Sequence, residues 1–120
     1  MSAAVQRPSA TPTAPWSPRV RLARLACEAA LRVPGVAATD SGPTGLHVTA
    51  GDGQRVQGVR CVAAGSGSYE VTLRLRCELV PLIALGEAVR VAVTRVATAA
   101  GLVPAEINVL IADVVEPERA

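Results

Sequence analysis

A chain of 120 residues with a formal charge of +2 has room for one domain, and its core needs neither metal nor disulfide to hold together. Every basic residue is arginine, interspersed with acids along the sequence, so no concentrated basic patch marks a nucleic-acid or anionic-membrane surface. Phe is absent and Trp16 and Tyr69 are the only aromatics, which assigns the core to Val, Leu, Ile and Ala and leaves little for a base to stack on.

Residues 2–17 are mainly Ser, Ala, Thr and Pro, punctuated by Pro8, Pro12 and Pro15. Such a composition has too little apolar surface to offset the entropy of ordering, so residues 1–17 read as a disordered tail. Met1 to Pro8 shows no basic leader followed by an apolar run, which argues against a secretory signal. Ser17-Pro18 is a helix start signal, a capping residue followed by proline at the first helical position. From Pro18 to about Val33 the apolar residues Val20, Ala23, Cys27, Ala30 and Leu31 recur at helical spacing. Arg21, Arg24, Glu28 and Arg32 fall on the opposite face, and Pro34-Gly35 ends the helix.

Three strand-like segments follow the turn-rich Asp40-Ser41-Gly42-Pro43: Leu46 to Ala50, Val56 to Ala63 and Tyr69 to Leu79. Asp52-Gly53 and Gly65-Ser66-Gly67-Ser68 supply the turns between them. The third segment alternates strictly. Val71, Leu73, Leu75, Cys77 and Leu79 take one side, and Glu70, Thr72, Arg74, Arg76 and Glu78 take the other, the pattern of a sheet with one buried face.

Pro81 to Ala100 reads as a long amphipathic helix packing through Leu82, Leu85, Val89, Val93 and Val96, and Gly101-Leu102 stops it. A strand follows in which Ile107, Val109 and Ile111 point one way while Leu110, Ala112 and Val114 point the other. Apolar on both faces, it is expected to be central or to have its second face covered. Arg90 and Arg95 interrupt the longest apolar stretch, so no bilayer insertion is expected.

The residue types that carry chemistry are sparse. Cys27, Cys61 and Cys77 are odd in number, widely spaced and each in phase with an apolar row, so they read as buried thiols in a reducing cytoplasm rather than metal or disulfide ligands. His47 is the lone histidine, expected on the solvent side with no nucleophile or carboxylate pattern pointing to it. Glu70 and Glu78 share a strand face, yet eight residues of strand put them roughly 26 Å apart, beyond the spacing of paired catalytic carboxylates. The Gly65 to Ser68 loop leads into a strand and not a helix, unlike a phosphate cradle. Neither catalytic residues nor a small-molecule substrate are evident, and no cofactor or metal is called for. The candidate contact surface is the outward row Glu70, Thr72, Arg74, Arg76 and Glu78.

Three stretches carry a family resemblance: Arg21 to Val36 with Ala29-Ala30 and Val33-Pro34-Gly35-Val36; Tyr69 to Leu79 running into the Pro81 helix; and Ala100-Gly101-Leu102 followed by Ile107-Asn108-Val109 and Asp113-Val114. In order and spacing they resemble the alkaline shock protein family, the envelope stress response proteins of Gram-positive bacteria, in a short actinobacterial form. The resemblance implies a compact α+β domain without enzymatic activity, resident in the cytoplasm and held at the inner face of the envelope by a membrane-anchored protein partner.

The expectation is therefore a two-layer α+β domain over residues 18–116, with 117–120 as a C-terminal tail. Two helices pack on one face of a small mixed sheet in the order α-β-β-β-α-β, the first three strands forming an antiparallel meander and the last joined by a helical crossover. The function read from it is a non-enzymatic envelope stress response protein that self-associates or docks to an anchored partner. The alternative is a small RNA-binding α+β module, against which the missing aromatics and lysines argue.

Overall fold

The computed structural model describes residues 16–116. The tails expected over 1–17 and 117–120 lie outside the described residues except for Trp16 and Ser17. Trp16 has the Arg24 guanidinium 5.8 Å from its ring centroid, and the Ser17 N–H donates to Asp52 Oδ2 at 2.8 Å. Helix α1 spans Pro18–Leu31 with proline in its first turn. It is buried on most of its circumference, through Val20, Leu22, Ala23, Ala26, Cys27, Ala29 and Ala30, which explains why so many of its apolar positions are alanine: elements approach it from several sides.

Five strands, not three, separate the helices. They are β1 (Val36–Thr39), β2 (Val48–Gly51), β3 (Gln54–Gln57), β4 (Val59–Gly65) and β5 (Ser68–Glu78); α2 (Leu82–Ala99) and β6 (Val103–Val115) complete the chain. The class is α+β, as expected, while the expected element order and meander need correction. The Val56 to Ala63 run breaks at Gly58, whose φ is +83°, so that β3 pairs only with β2 in a separate two-stranded hairpin. In the main sheet β5 is the axis. Along one side it pairs antiparallel with β4 through Val59–Gly65 and then with β1, and along the other it pairs in parallel with β6 over its whole length.

The inward row of β5, Val71, Leu73, Leu75 and Cys77, is completely buried and joins Leu22, Ala26, Leu85, Val89, Val93 and Ala97 of the two helices in one core. Both helices therefore cover the same face of the sheet. The stop of α2 is a Schellman motif: Gly101 at φ +75°, Leu102 N–H donating to Ala97 O at 2.9 Å and Gly101 N–H to Thr98 O at 3.0 Å. The β4–β5 turn is Ser66-Gly67, with φ of 53° and 78°, a plain connecting hairpin turn as expected.

The last strand departs most from expectation, because β6 is neither central nor covered: it is the edge of the sheet. A register shift between the pairs Leu75↔Ile111 and Arg76↔Asp113 leaves Ala112 as an extra residue and resets the alternation. Val114 consequently lies opposite Cys77 on the helix side, and Asp113 opposite Arg76 on the open side. Of the expected second apolar row, Leu110 alone stands on the open face in the regular part of the strand. The bulge is how a strand that is apolar at nearly every position avoids presenting two greasy faces.

Candidate partner surface

The open sheet face is built from alternate residues of β4, β5 and β6. Register places Arg60 opposite Thr72 and Val62 opposite Glu70 on one side, and Glu106, Asn108, Leu110, Asp113 and Val115 opposite Glu70, Thr72, Arg74, Arg76 and Glu78 on the other. The five residues expected on this face are thus all on it, in one row. They do not do the same work.

Arg74 is a structural residue. Its Nε donates to Asp40 Oδ2 at 2.8 Å with both side chains about two-thirds buried. Its backbone N–H donates to Gly58 O and its carbonyl accepts from Asp40 N–H, each at 2.8 Å. This hydrogen bond from Arg74 holds the Asp40 carboxyl below the usual carboxylate range. Together the three bonds pin the loop after β1 to the place where β1 gives way to β4, so the Arg74 guanidinium is committed within the fold and not free for a partner. Arg76 is looser, 3.9 Å from Asp113 with both groups about half exposed or more, a pair of little net worth. The Glu78 N–H donates to Gly35 O at 2.8 Å, tying β5 to the turn that ends α1.

His47 lies on this face too, with Nε2 3.2 Å from Thr72 O. A carbonyl only accepts, so this contact has Nε2 carrying a proton and donating it. Burial pushes its pKa down. It lines a small 250 Å³ hollow with Arg60, Val62, Glu70 and Thr72. The three thiols are buried as expected, and burial raises all of them, Cys61 to about 11. Among the described residues no three His, Cys, Asp or Glu side chains gather into a metal-binding group.

Glu70 meets Glu106, which the sequence could not show because the neighbour of β5 was not legible. The two carboxyls face each other across the parallel register, and the Glu106 hydrogen bond and then its charge push the Glu70 pKa up. A folded-state pKa above the unfolded one stabilises the fold at low pH, and that stability is lost as the pH rises through the folded value. Glu106→Gln is therefore expected to raise the melting temperature at neutral pH, with the gain vanishing in acid below the ordinary glutamate range. Thermal melts at the two pH values check it; a gain that persists unchanged in acid would show that repulsion is not its source.

Charge that is interspersed in sequence is sorted in space. Arg19, Arg21, Arg24, Arg32, Arg90 and Arg95 lie on the helices against Glu28 and Glu87. On the open face and its bordering loop Asp40, Glu70, Glu78, Glu106 and Asp113 outnumber Arg60, Arg74 and Arg76. The helix layer is basic and the open sheet face acidic, so this face fits a basic partner rather than the acidic one that Arg74 and Arg76 alone would suggest. The chain matches no protein-family model, and no curated protein or solved structure is similar to it.

Proposed function

We propose that this protein is a non-enzymatic member of the envelope stress response that works in the cytoplasm by protein–protein contact, through self-association or by docking to a membrane-anchored partner. The observation that carries the reading is the open sheet face. It is a row of charged and polar groups, acidic in balance and uncovered by either helix, while the hollow bordering it is small and half open, the kind of surface that meets another protein rather than encloses a substrate. The resemblance of the Arg21–Val36, Tyr69–Leu79 and Ala100–Val114 stretches to the alkaline shock family supports the stress-response part. No helix among the described residues is long and apolar enough to cross a membrane, so contact with the envelope runs through an anchored protein.

The test is a pull-down from native cells with and without the membrane fraction, using the wild type and a Glu70→Arg, Glu106→Arg double variant shown by circular dichroism to be folded. The expected result is a membrane protein recovered by the wild type and depleted by about tenfold or more with the variant, since reversed charges change steering and register. Recovery of RNA from both proteins would favour the RNA-binding reading, and equal recovery of the membrane protein by both would remove the open face from consideration.

A further inference from the structure

The two sides of the main sheet are finished differently. On the β4 side the outer edge is occupied: Thr49 Oγ1 of the β2–β3 hairpin donates to Val59 O at 2.6 Å and accepts from Cys61 N–H at 2.9 Å. On the other side β6 runs for 13 residues and, among the described residues, no strand lies beyond it. Long edge strands are hazards that proteins blunt with charges, prolines, bulges or covering elements. Here the blunting is confined to the ends. Extra residues Ala105 and Ala112 interrupt the pairing with β5, Pro104, Glu106 and Asp113 flank those points, and the stretch between them, Ile107-Asn108-Val109-Leu110-Ile111, has no charge, proline or glycine.

The phase of this edge is fixed by one hydrogen bond. Arg90 Nε of α2 donates to Ile107 O at 3.1 Å, so that carbonyl faces away from β5. In a strand the backbone groups of residues two apart point the same way, so Ile107, Val109 and Ile111 present their N–H and C=O groups outward while Asn108 and Leu110 bond to β5.

We infer that β6 pairs antiparallel with β6 of a second copy about a two-fold axis at Val109, joining two sheets into one. This deepens the self-association half of the proposed function and rests on it. The choice of a second copy follows from the edge itself. With outward groups restricted to residues 107, 109 and 111, a two-fold pairing centred on Val109 sets Ile107 against the partner's Ile111 and Val109 against the partner's Val109, every outward group being matched once the Ile107 carbonyl accepts on its second lone pair or releases Arg90. The same register places Glu106 across from the partner's Ala112 and Asp113 across from the partner's Ala105, so the small bulge residues stand where the acids arrive and no carboxylate directly opposes another. Exposed apolar side chains collect on this side as well. Val103, Leu110 and Val114 are on β6, Leu79 on the connection from β5 into α2 and Ile83 in the first turn of α2. Ile83 is 92% exposed and two helical turns before Arg90, hence on the same flank of α2. A second copy covers this flank as the strands pair.

The pairing makes a register-specific demand on cross-linking. Asn108 and the partner's Leu110 form a non-hydrogen-bonded pair with Cα atoms about 4.5 Å apart, whereas two Asn108 residues are diagonal at about 7–8 Å, too far for an unstrained disulfide. Asn108→Cys and Leu110→Cys chains, mixed and exposed to oxidised glutathione, are expected to give a covalent dimer that neither gives alone. Sedimentation of the full chain from micromolar to millimolar concentration is expected to show a dimer, weakened about tenfold or more by Leu110→Lys, which charges the edge, and by Val109→Pro, which removes an outward N–H. Leu110 is half exposed, so Leu110→Lys keeps the test valid if Val109→Pro fails to fold. A monomeric wild type, a dimer indifferent to Leu110→Lys, or cross-linking of each single variant as strong as of the mixture overturns the inference. A monomeric wild type that still recovers its partner in the pull-down leaves the docking reading intact; the expected dimer with no partner recovered leaves this pairing standing and removes that reading.

Discussion

Gly58→Ala is expected to cost about 3–5 kcal/mol, enough to lower the melting temperature of a domain this size by roughly 15 °C or more or to prevent folding. Two separate costs combine. The residue has a φ of +83°, which a side chain adopts only with strain of order 1–3 kcal/mol. A Cβ built there would also lie 2.5 Å from Thr39 Cβ and 2.7 Å from the Asp40 nitrogen, and the second of these is backbone that can move only by shifting β1. That movement breaks the Asp40 N–H to Arg74 O bond, 2.8 Å, at the junction where β1 and β4 share one side of β5. Gly65→Ala is the control: its φ is +93° and nothing lies within 4 Å of its Cβ, so it carries the conformational cost alone, about 1–3 kcal/mol. Thermal or urea melts of both decide the matter. Equal shifts for the two variants would mean that β1 yields freely and the clash has no weight.

Gly58 also marks where the fold stops being legible in the sequence. The alternation from Val71 to Glu78, the proline start of α1 and the Gly101 stop of α2 are local signals that the structure reproduces, but Leu79, expected inside, is 72% exposed beyond the end of β5 and Ser17 makes no side-chain capping bond. The break at Gly58 is not local. Val56 to Ala63 is a good strand by composition, and only the approach of Thr39 and Asp40 from a distant part of the chain makes glycine necessary there and divides the run. Strand β1 was missed for a related reason: Val-Ala-Ala-Thr has weak strand preference of its own and forms because β5 offers it an open side.

The candidate surface divides in the same way. Periodicity places Glu70, Thr72, Arg74, Arg76 and Glu78 on one face because a period of two needs no knowledge of neighbours. What each residue does there depends on strand order. Arg74 becomes structural because the loop after β1 delivers Asp40 to it, and Glu70 meets Glu106 because β6 happens to be the parallel neighbour. The one sequence trace of the β6 edge is the unbroken apolar run flanked by Glu106 and Asp113; read as two apolar rows it pointed to a covered strand, whereas its row Ile107, Val109 and Ile111 is partly buried against the core and the bulge at Ala112 interrupts the other.

Thr49→Val is expected to destabilise the protein by about 2–4 kcal/mol although the two side chains have nearly the same shape and valine is the more apolar. Thr49 is 1% exposed and is the one polar side chain fully buried among the described residues. Its hydroxyl both donates to Val59 O and accepts from Cys61 N–H, filling two backbone positions on the outer side of β4 that no strand occupies. Valine leaves a buried carbonyl and a buried N–H unpaired, each costing about 1–3 kcal/mol. The hydrophobic gain of one methyl for one hydroxyl does not recover this, because the loss falls on the partners and not on residue 49 itself. Thr49→Ser, which keeps the hydroxyl and loses a methyl, should cost only about 1 kcal/mol. The expected order of stability is therefore threonine, serine, valine, whereas a ranking by hydrophobicity puts valine first. Amide exchange gives an independent reading: the Cys61 N–H should exchange faster in the valine variant than in the serine variant, as the β2–β3 hairpin loosens from the sheet and leaves β4 with an exposed edge. A valine variant as stable as the wild type, with Cys61 still protected, would mean that water or a shifted strand replaces the hydroxyl at no cost and that the hairpin is held to the sheet by its apolar contacts with α1 instead.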